Sequence, residues 1–243
     1  MAGKDIKIRS SEGGEFDCYV AMPDTREKVP AIVVACAVFG VDEDIRKITD
    51  TFAAAGYIAY APDLFWRTVP GPLADGDGRT KERSQPRLEK IKTGEADMRD
   101  VAAAIRKLPQ SNGKVATIGL CYGGPYANIG PQRLGYDAGI SCHGSQMWSF
   151  IKDLEGVTQP VCLIWGDEDH ALNDEVRAEY PKLAEKMPNL EYHVLPKIKH
   201  GYMMSLHATA YDKGAYDFSM KRTLEILDGL RGEGRPEALR KAS

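Results

Sequence analysis

Cys121 stands in the run Gly119-Leu120-Cys121-Tyr122-Gly123, with Gly124 next. A thiol that attacks a carbonyl must be held clear of its own backbone and faced by N–H donors. A sharp turn from strand into helix does both, and it needs small residues close to the nucleophile on either side. Gly119 and Gly123 meet that need, because without a Cβ they tolerate close approach of neighbouring backbone. The first N–H groups of the following helix would favour a thiolate and the oxyanion formed on attack. The same five residues also fit a buried cysteine in an ordinary strand-to-helix turn.

A thiol nucleophile works with a base, and the base with an orienting acid. Acids cluster in Gly166-Asp167-Glu168-Asp169-His170, with Asp174 just beyond. Such a cluster also suits a solvated turn or a helix cap. The candidate bases are His200, His170, His193 and His207. His193 lies inside a strand-like run and reads as structural. His170 adjoins Asp169 and is awkwardly placed to pair with it, and His207 falls in a segment without a clear pattern. Asp169 and His200 each follow a strand-like run, where parallel α/β folds gather functional residues. The chain order nucleophile, acid, histidine is that of an α/β-hydrolase. An oxyanion would need two backbone N–H groups. Topology offers that of Tyr122 and, from Cys36-Ala37-Val38-Phe39-Gly40, that of Val38. His143, just after another apolar run, is a candidate for the wall of the site.

The elements that must position these residues can be read from the pattern. Residues 4–9 alternate like an edge strand. Runs at 31–35, 57–61, 114–118, 138–142, 161–165 and 190–195 read as strands, most of them apolar throughout and so covered on both faces. Helical stripes are expected from Asp42 or Asp44 to about 55, over 91–108, over 173–187 and over 216–230. A short helix should begin near Pro125 and stop at Gly130-Pro131. Residues 66–86, rich in proline and glycine, are the least regular stretch, and loops of that length are often functional. The alternation predicts one α/β domain over residues 1–243, with its core at about 5–230, a mostly parallel central sheet flanked by helices and no large separate cap domain. Residues 231–243 carry charges of both signs and read as a solvated tail.

With 243 residues and 43% hydrophobic residues, the chain can bury a substantial core. The net charge of -3 and the lack of a basic block argue against nucleic acid as a partner. No run is long and apolar enough to suggest a membrane span, and the N-terminus lacks a signal-peptide pattern. Five cysteines, an odd number and mostly in apolar runs, suit a reducing cytoplasm better than a disulfide framework. Neither a metal nor an organic cofactor is expected, and oligomeric state is not legible.

Taken together, the motifs resemble the dienelactone hydrolase (carboxymethylenebutenolidase) family over about residues 5–230. The matching pieces are Val38-Phe39-Gly40-Val41 before a helix containing Arg46, Gly56-Tyr57, Ala61-Pro62-Asp63-Leu64-Phe65, Asn112-Gly113-Lys114-Val115, Gly119 to Gly124, Gly166 to His170 and His200-Gly201-Tyr202. The resemblance implies an α/β-hydrolase fold and hydrolysis of a small ester or lactone through an acyl-cysteine. Cys121 would be the nucleophile, Asp169 the acid, His200 the base, and the N–H groups of Val38 and Tyr122 the oxyanion hole. Two departures stand out. The family's usual glutamate beside the oxyanion loop is Ala37 here. Where an arginine follows the family's catalytic histidine, this chain has Met203-Met204-Ser205. Arg83 and Arg87 are the loop arginines available to hold a substrate carboxylate. Ala37, Phe39, Trp148, Met203 and Met204 complete the candidate pocket, which implies an apolar ester or lactone. Other reactions on the same fold, such as thioester or carbon–carbon bond hydrolysis, and a non-catalytic binding role are the alternatives.

Overall fold

An eight-stranded sheet organises the chain in this computed structural model, which describes residues 3–74, 76–206 and 210–232. Its strands are β1 (Lys4–Arg9), β2 (Glu15–Ala21), β3 (Val29–Ala35), β4 (Ile58–Pro62), β5 (Ser111–Leu120), β6 (Ala138–Cys142), β7 (Val161–Gly166) and β8 (Leu190–Leu195). They lie in the order β1-β2-β4-β3-β5-β6-β7-β8. β2 pairs antiparallel with β1 and β4, and the remaining neighbours are parallel. Every residue of β3, β4, β6 and β7 is buried, as expected of strands covered on both faces.

The helices are α1 (Glu43–Ala54), α2 (Thr80–Ser84), α3 (Arg87–Arg106), α4 (Tyr126–Ile129), α5 (Asp174–Lys186) and α6 (Lys213–Gly229). α1 starts where its sequence provides a cap, with Asp42 accepting the N–H of Ile45 at 3.0 Å. Ile45, Ile48 and Phe52 form its buried stripe, while Ala55 is exposed at the C-cap. α3 buries Ile91, Met98, Val101, Ala102 and Ile105 against the sheet.

Four features differ from the pattern read in the sequence. β2 was not anticipated, because its inner face mixes Phe16 and Cys18 with charged neighbours in a short run. Gly130-Pro131 does not stop the helix after Pro125. Residues Gly130–Leu134 continue it as a wide π-type turn that ends on Gly135 at φ 78°. The irregular stretch before α3 contains α2, and residues Met147–Leu154 form a 3₁₀ segment that the sequence did not announce. His207 and most of the expected tail lie outside the described residues. Among the described residues, no helix is long and apolar enough to cross a membrane.

Candidate active site

β5 delivers Cys121 to the carboxyl edge of the sheet. Leu120 is still extended, Cys121 has φ 49°, and a 3₁₀ turn, Cys121–Gly123, leads toward α4. A positive φ is costly for a residue with a side chain, by about 1–3 kcal/mol, and persists only where the surroundings impose it. They do so by crowding. A Cβ on Gly119 would lie 2.1 Å from the Gly123 carbonyl oxygen, and one on Gly123 would lie 2.2 Å from that of Ala35 on β3. The turn is thus pressed against its own strand and the next one. Cys121 is half-buried, whereas the other four cysteines are buried.

The peptide planes around the turn are fixed as well. The Cys121 carbonyl accepts from Gly124 N at 3.1 Å, Ser145 N at 3.0 Å and Arg87 Nη2 at 3.4 Å. That carbonyl belongs to the peptide unit that carries the Tyr122 N–H, so three donors on its oxygen orient and polarise the N–H on its other side. Across the site, the Ala37 carbonyl accepts from Gly40 N at 3.0 Å, which fixes the peptide unit carrying the Val38 N–H. The Tyr122 ring is held between Phe65, at 4.6 Å between centroids, and the Arg87 guanidinium, 4.6 Å above its face.

β7 and β8 end in two loops that touch. A Cβ on Gly166 would lie 1.9 Å from the Ile198 carbonyl oxygen, Glu168 N donates to that carbonyl at 3.1 Å, and Lys197 N donates to Asp167 Oδ1 at 2.6 Å. This contact brings Asp169 to His200. Asp169 Oδ1 accepts from Ala171 N at 2.7 Å and lies 2.8 Å from His200 Nδ1. The competing acids are placed elsewhere. Asp167 is tied to backbone, Glu168 is exposed, and Asp174 opens α5. Among the histidines, His193 sits within β8 beside Glu191 at 3.0 Å, and His170 is exposed with its ring 4.5 Å from that of His200.

His143 comes from the end of β6 and is fully buried, with φ 42°. One donor atom each from Cys121, His143 and His200 lies within 4.8 Å of the others. The His143 ring meets His200 and Tyr202 edge-on, at 5.0 and 5.1 Å between centroids, and neither of its nitrogens reaches hydrogen-bond geometry. Burial works against charge at all three residues. It pushes the Cys121 thiol up, but the charge of His200, with contributions from His143, brings it well below the ordinary thiol range. Burial pushes His200 down, yet the Cys121 charge and the bond to Asp169 raise it. Burial lowers His143, against an opposing pull from Cys121. Asp169 is raised by burial and lowered further by His200. These opposite directions favour a thiolate–imidazolium pair backed by a carboxylate.

Two further donor groups have metal-like spacing, Asp169 with His170 and His200, and Cys162 with Glu191 and His193. In both, the donors are already committed. Asp169 bonds His200, and Glu191 bonds Arg222 at 2.6 Å as well as His193.

Cys121 and His200 open into a cleft of about 1200 Å³ whose lining also includes Val38, Ser145, Trp148, His170 and residues of the 78–87 segment. Trp148 is 38% exposed there. The other sequence-derived pocket candidates are placed differently. Met203 and Met204 are buried in the core, Ala37 is buried, and neither these three nor Phe39 is among the lining residues. Arg83 is fully buried beneath the cleft. Its guanidinium donates to the carbonyls of Val38 at 3.2 Å, Gly71 at 2.6 Å and Val69, and lies 4.5 Å over the Phe65 ring. It is a fixture of the loop that carries the Val38 N–H and not a free cation at the cleft surface. Arg87 does line the cleft, but its Nη2 is committed to the carbonyls of Cys121, Tyr122 and Ser145 and to Ser145 Oγ. Ser145 was missed in the sequence, because a serine three residues past a strand carries no signal of its own.

The family model described as "Dienelactone hydrolase family" matches residues 16–230. The chain is 30% identical to carboxymethylenebutenolidase 1 of Cupriavidus pinatubonensis over 234 residues, covering 95% of this chain and 99% of that protein. It is 27% identical to the carboxymethylenebutenolidase of Pseudomonas putida, covering 96% and 99%. Among solved structures, a dienelactone hydrolase-like promiscuous phosphotriesterase from metagenomic libraries superposes with a TM-score of 0.76 at 19% identity, covering 96% of this chain and all (100%) of that one. An esterase of Thermogutta terrifontis does so with 0.67 at 14% identity, covering 96% and 95%. These structural likenesses establish the α/β-hydrolase fold, and the sequence matches establish that the chain belongs to the dienelactone hydrolase family.

Proposed function

We propose that this chain hydrolyses small carboxylic esters or lactones through an acyl-cysteine, with residues 5–230 forming one catalytic unit. The observation that carries the reading is the convergence of Cys121, His200 and Asp169 from the ends of three parallel strands at the mouth of one cleft. The carboxymethylenebutenolidase names of its relatives point to the same class of reaction.

The Cys121 thiolate attacks the carbonyl carbon, and the carbonyl π electrons move to oxygen. The resulting oxyanion faces the N–H groups of Val38 and Tyr122. As the tetrahedral species collapses, the carbon–oxygen bond to the alcohol breaks, and the leaving oxygen takes a proton from His200. Acylation neutralises the sulfur. That removes the charge that raised His200, so its proton is released more readily and the neutral imidazole becomes the base for the second half. Water gives a proton to His200 and attacks the acyl carbon. The thiolate leaves, the carboxylic acid is released, and the proton on His200 restores the ion pair. A lactone follows the same course with its alcohol still tethered to the acyl chain. Asp169 holds His200 with Nδ1 toward the carboxylate and Nε2 toward the reaction.

The test is hydrolysis of aryl esters and small lactones by the wild type and Cys121→Ala, with intact-mass detection of an acyl adduct after brief mixing. Turnover and an adduct that both disappear in Cys121→Ala are expected. Undiminished turnover in the variant would exclude the acyl-cysteine route.

A further inference from the structure

Resting on that reading, we propose that Ser145 is a further catalytic residue, whose hydroxyl, turned by Arg87, donates a hydrogen bond to the Cys121 thiolate. Ser145 Oγ lies 3.6 Å from Cys121 Sγ and 2.7 Å from Arg87 Nη2. A guanidinium can only donate, so Arg87 occupies a lone pair of the serine oxygen. The serine proton is left to point elsewhere. A thiolate has no proton to give, so in the charged state the bond between oxygen and sulfur runs from Ser145 to Cys121.

The surrounding contacts hold Ser145 for this purpose. Its N–H donates to the Cys121 carbonyl at 3.0 Å. The preceding Gly144 carbonyl accepts from Trp165 Nε1 at 2.9 Å. A Cβ on Gly124 would lie 2.4 Å from the Gly144 Cα, so the elbow and this loop are in direct contact. Arg87 is fixed over the Tyr122 ring and by three carbonyls. A half-buried hydroxyl held this firmly is pre-organised for the charge that the resting enzyme carries and that re-forms once in each cycle, as the thiolate departs in deacylation.

The groups facing Cys121 are His200 from the loop after β8, with Asp169 behind it and His170 against its ring, His143 from the end of β6, Arg87 from α3, and Ser145 itself. Removing the serine hydroxyl leaves the charges among them in place and takes away one neutral donor.

The experiment follows Cys121 alkylation by iodoacetamide against pH in the full chain, for the wild type, Ser145→Ala and Ser145→Thr, with Cys121→Ala as the background. In Ser145→Ala the inflection should move up by about one pH unit, so that alkylation in acid slows about tenfold, the scale of one hydrogen bond to a charged group. In Ser145→Thr, which keeps the hydroxyl, the wild-type inflection should return. A Ser145→Ala profile that overlays the wild type, with only KM for an aryl ester changed, would make Ser145 a wall of the cleft and overturn the proposal while leaving the nucleophile assignment intact. Alkylation at the same rate in Cys121→Ala and the wild type would overturn both.

Discussion

Asp169 Oδ1 lies 2.8 Å from His200 Nδ1 while also accepting the N–H of Ala171, so the carboxylate is fixed by backbone before it orients the imidazole. Asp169→Asn keeps the shape and loses the charge, and its amide favours the wrong tautomer. Turnover of an aryl ester should fall by about three to four orders of magnitude with little change in KM. A loss below tenfold would remove Asp169 from the catalytic set.

The pH dependence follows from two opposite shifts. Cys121 is depressed, so its thiolate persists below the ordinary thiol value of about 8.5, and His200 is raised, so its charge persists above the ordinary imidazole value of about 6.5. Alkylation of Cys121 should therefore remain fast at pH 6, falling only as the pH drops through the depressed thiol value. An inflection near pH 8.5 in the wild type would mean that no ion pair forms.

Arg83 joins Val38, Val69 and Gly71 through their carbonyls. Arg83→Met would leave those oxygens unpartnered and should cost about 3 kcal/mol or more of stability, read in urea unfolding. It should also lower kcat by loosening the loop that carries the Val38 N–H. Preference between a neutral ester and its carboxylate-bearing analogue should not change. A selective loss of the carboxylate-bearing substrate at unchanged stability would instead make Arg83 a substrate ligand.

Gly123→Ala would drive a methyl group into the Ala35 carbonyl, which belongs to a buried central strand and cannot move aside. We expect a loss of several kcal/mol, read as a lower urea midpoint, together with loss of fast alkylation at Cys121. Gly229→Ala is the control for the substitution itself, since nothing lies within 4 Å of its Cβ position and its φ lies outside the left-handed region. Equal behaviour of the two variants would show that the elbow is not crowded.

The sheet was legible because the central strands are apolar throughout and their helices carry caps, as at Asp42 and Asn173. β2 escaped because its pattern is broken by charges at Glu15 and Asp17. Cys121, Asp169 and His200 could be singled out because the roles proposed for them require special residue types at strand ends, and the fold brings the three together. The wall of the cleft could not, since a side chain there is defined by where it points. Met203 and Met204 follow His200 closely in sequence yet turn into the core, and Arg83 turns inward to bind carbonyls while Arg87, four residues on, reaches the elbow.

The burial of Cys18, Cys36, Cys142 and Cys162 has a practical consequence. Burial raises all four thiols, whereas Cys121 is half-buried, opens into the cleft and has its thiol lowered. The folded protein is therefore its own active-site titrant. Reagent uptake of up to one equivalent counts competent sites in a preparation, and uptake beyond it, four further thiols for each unfolded chain, reports the fraction that has unfolded.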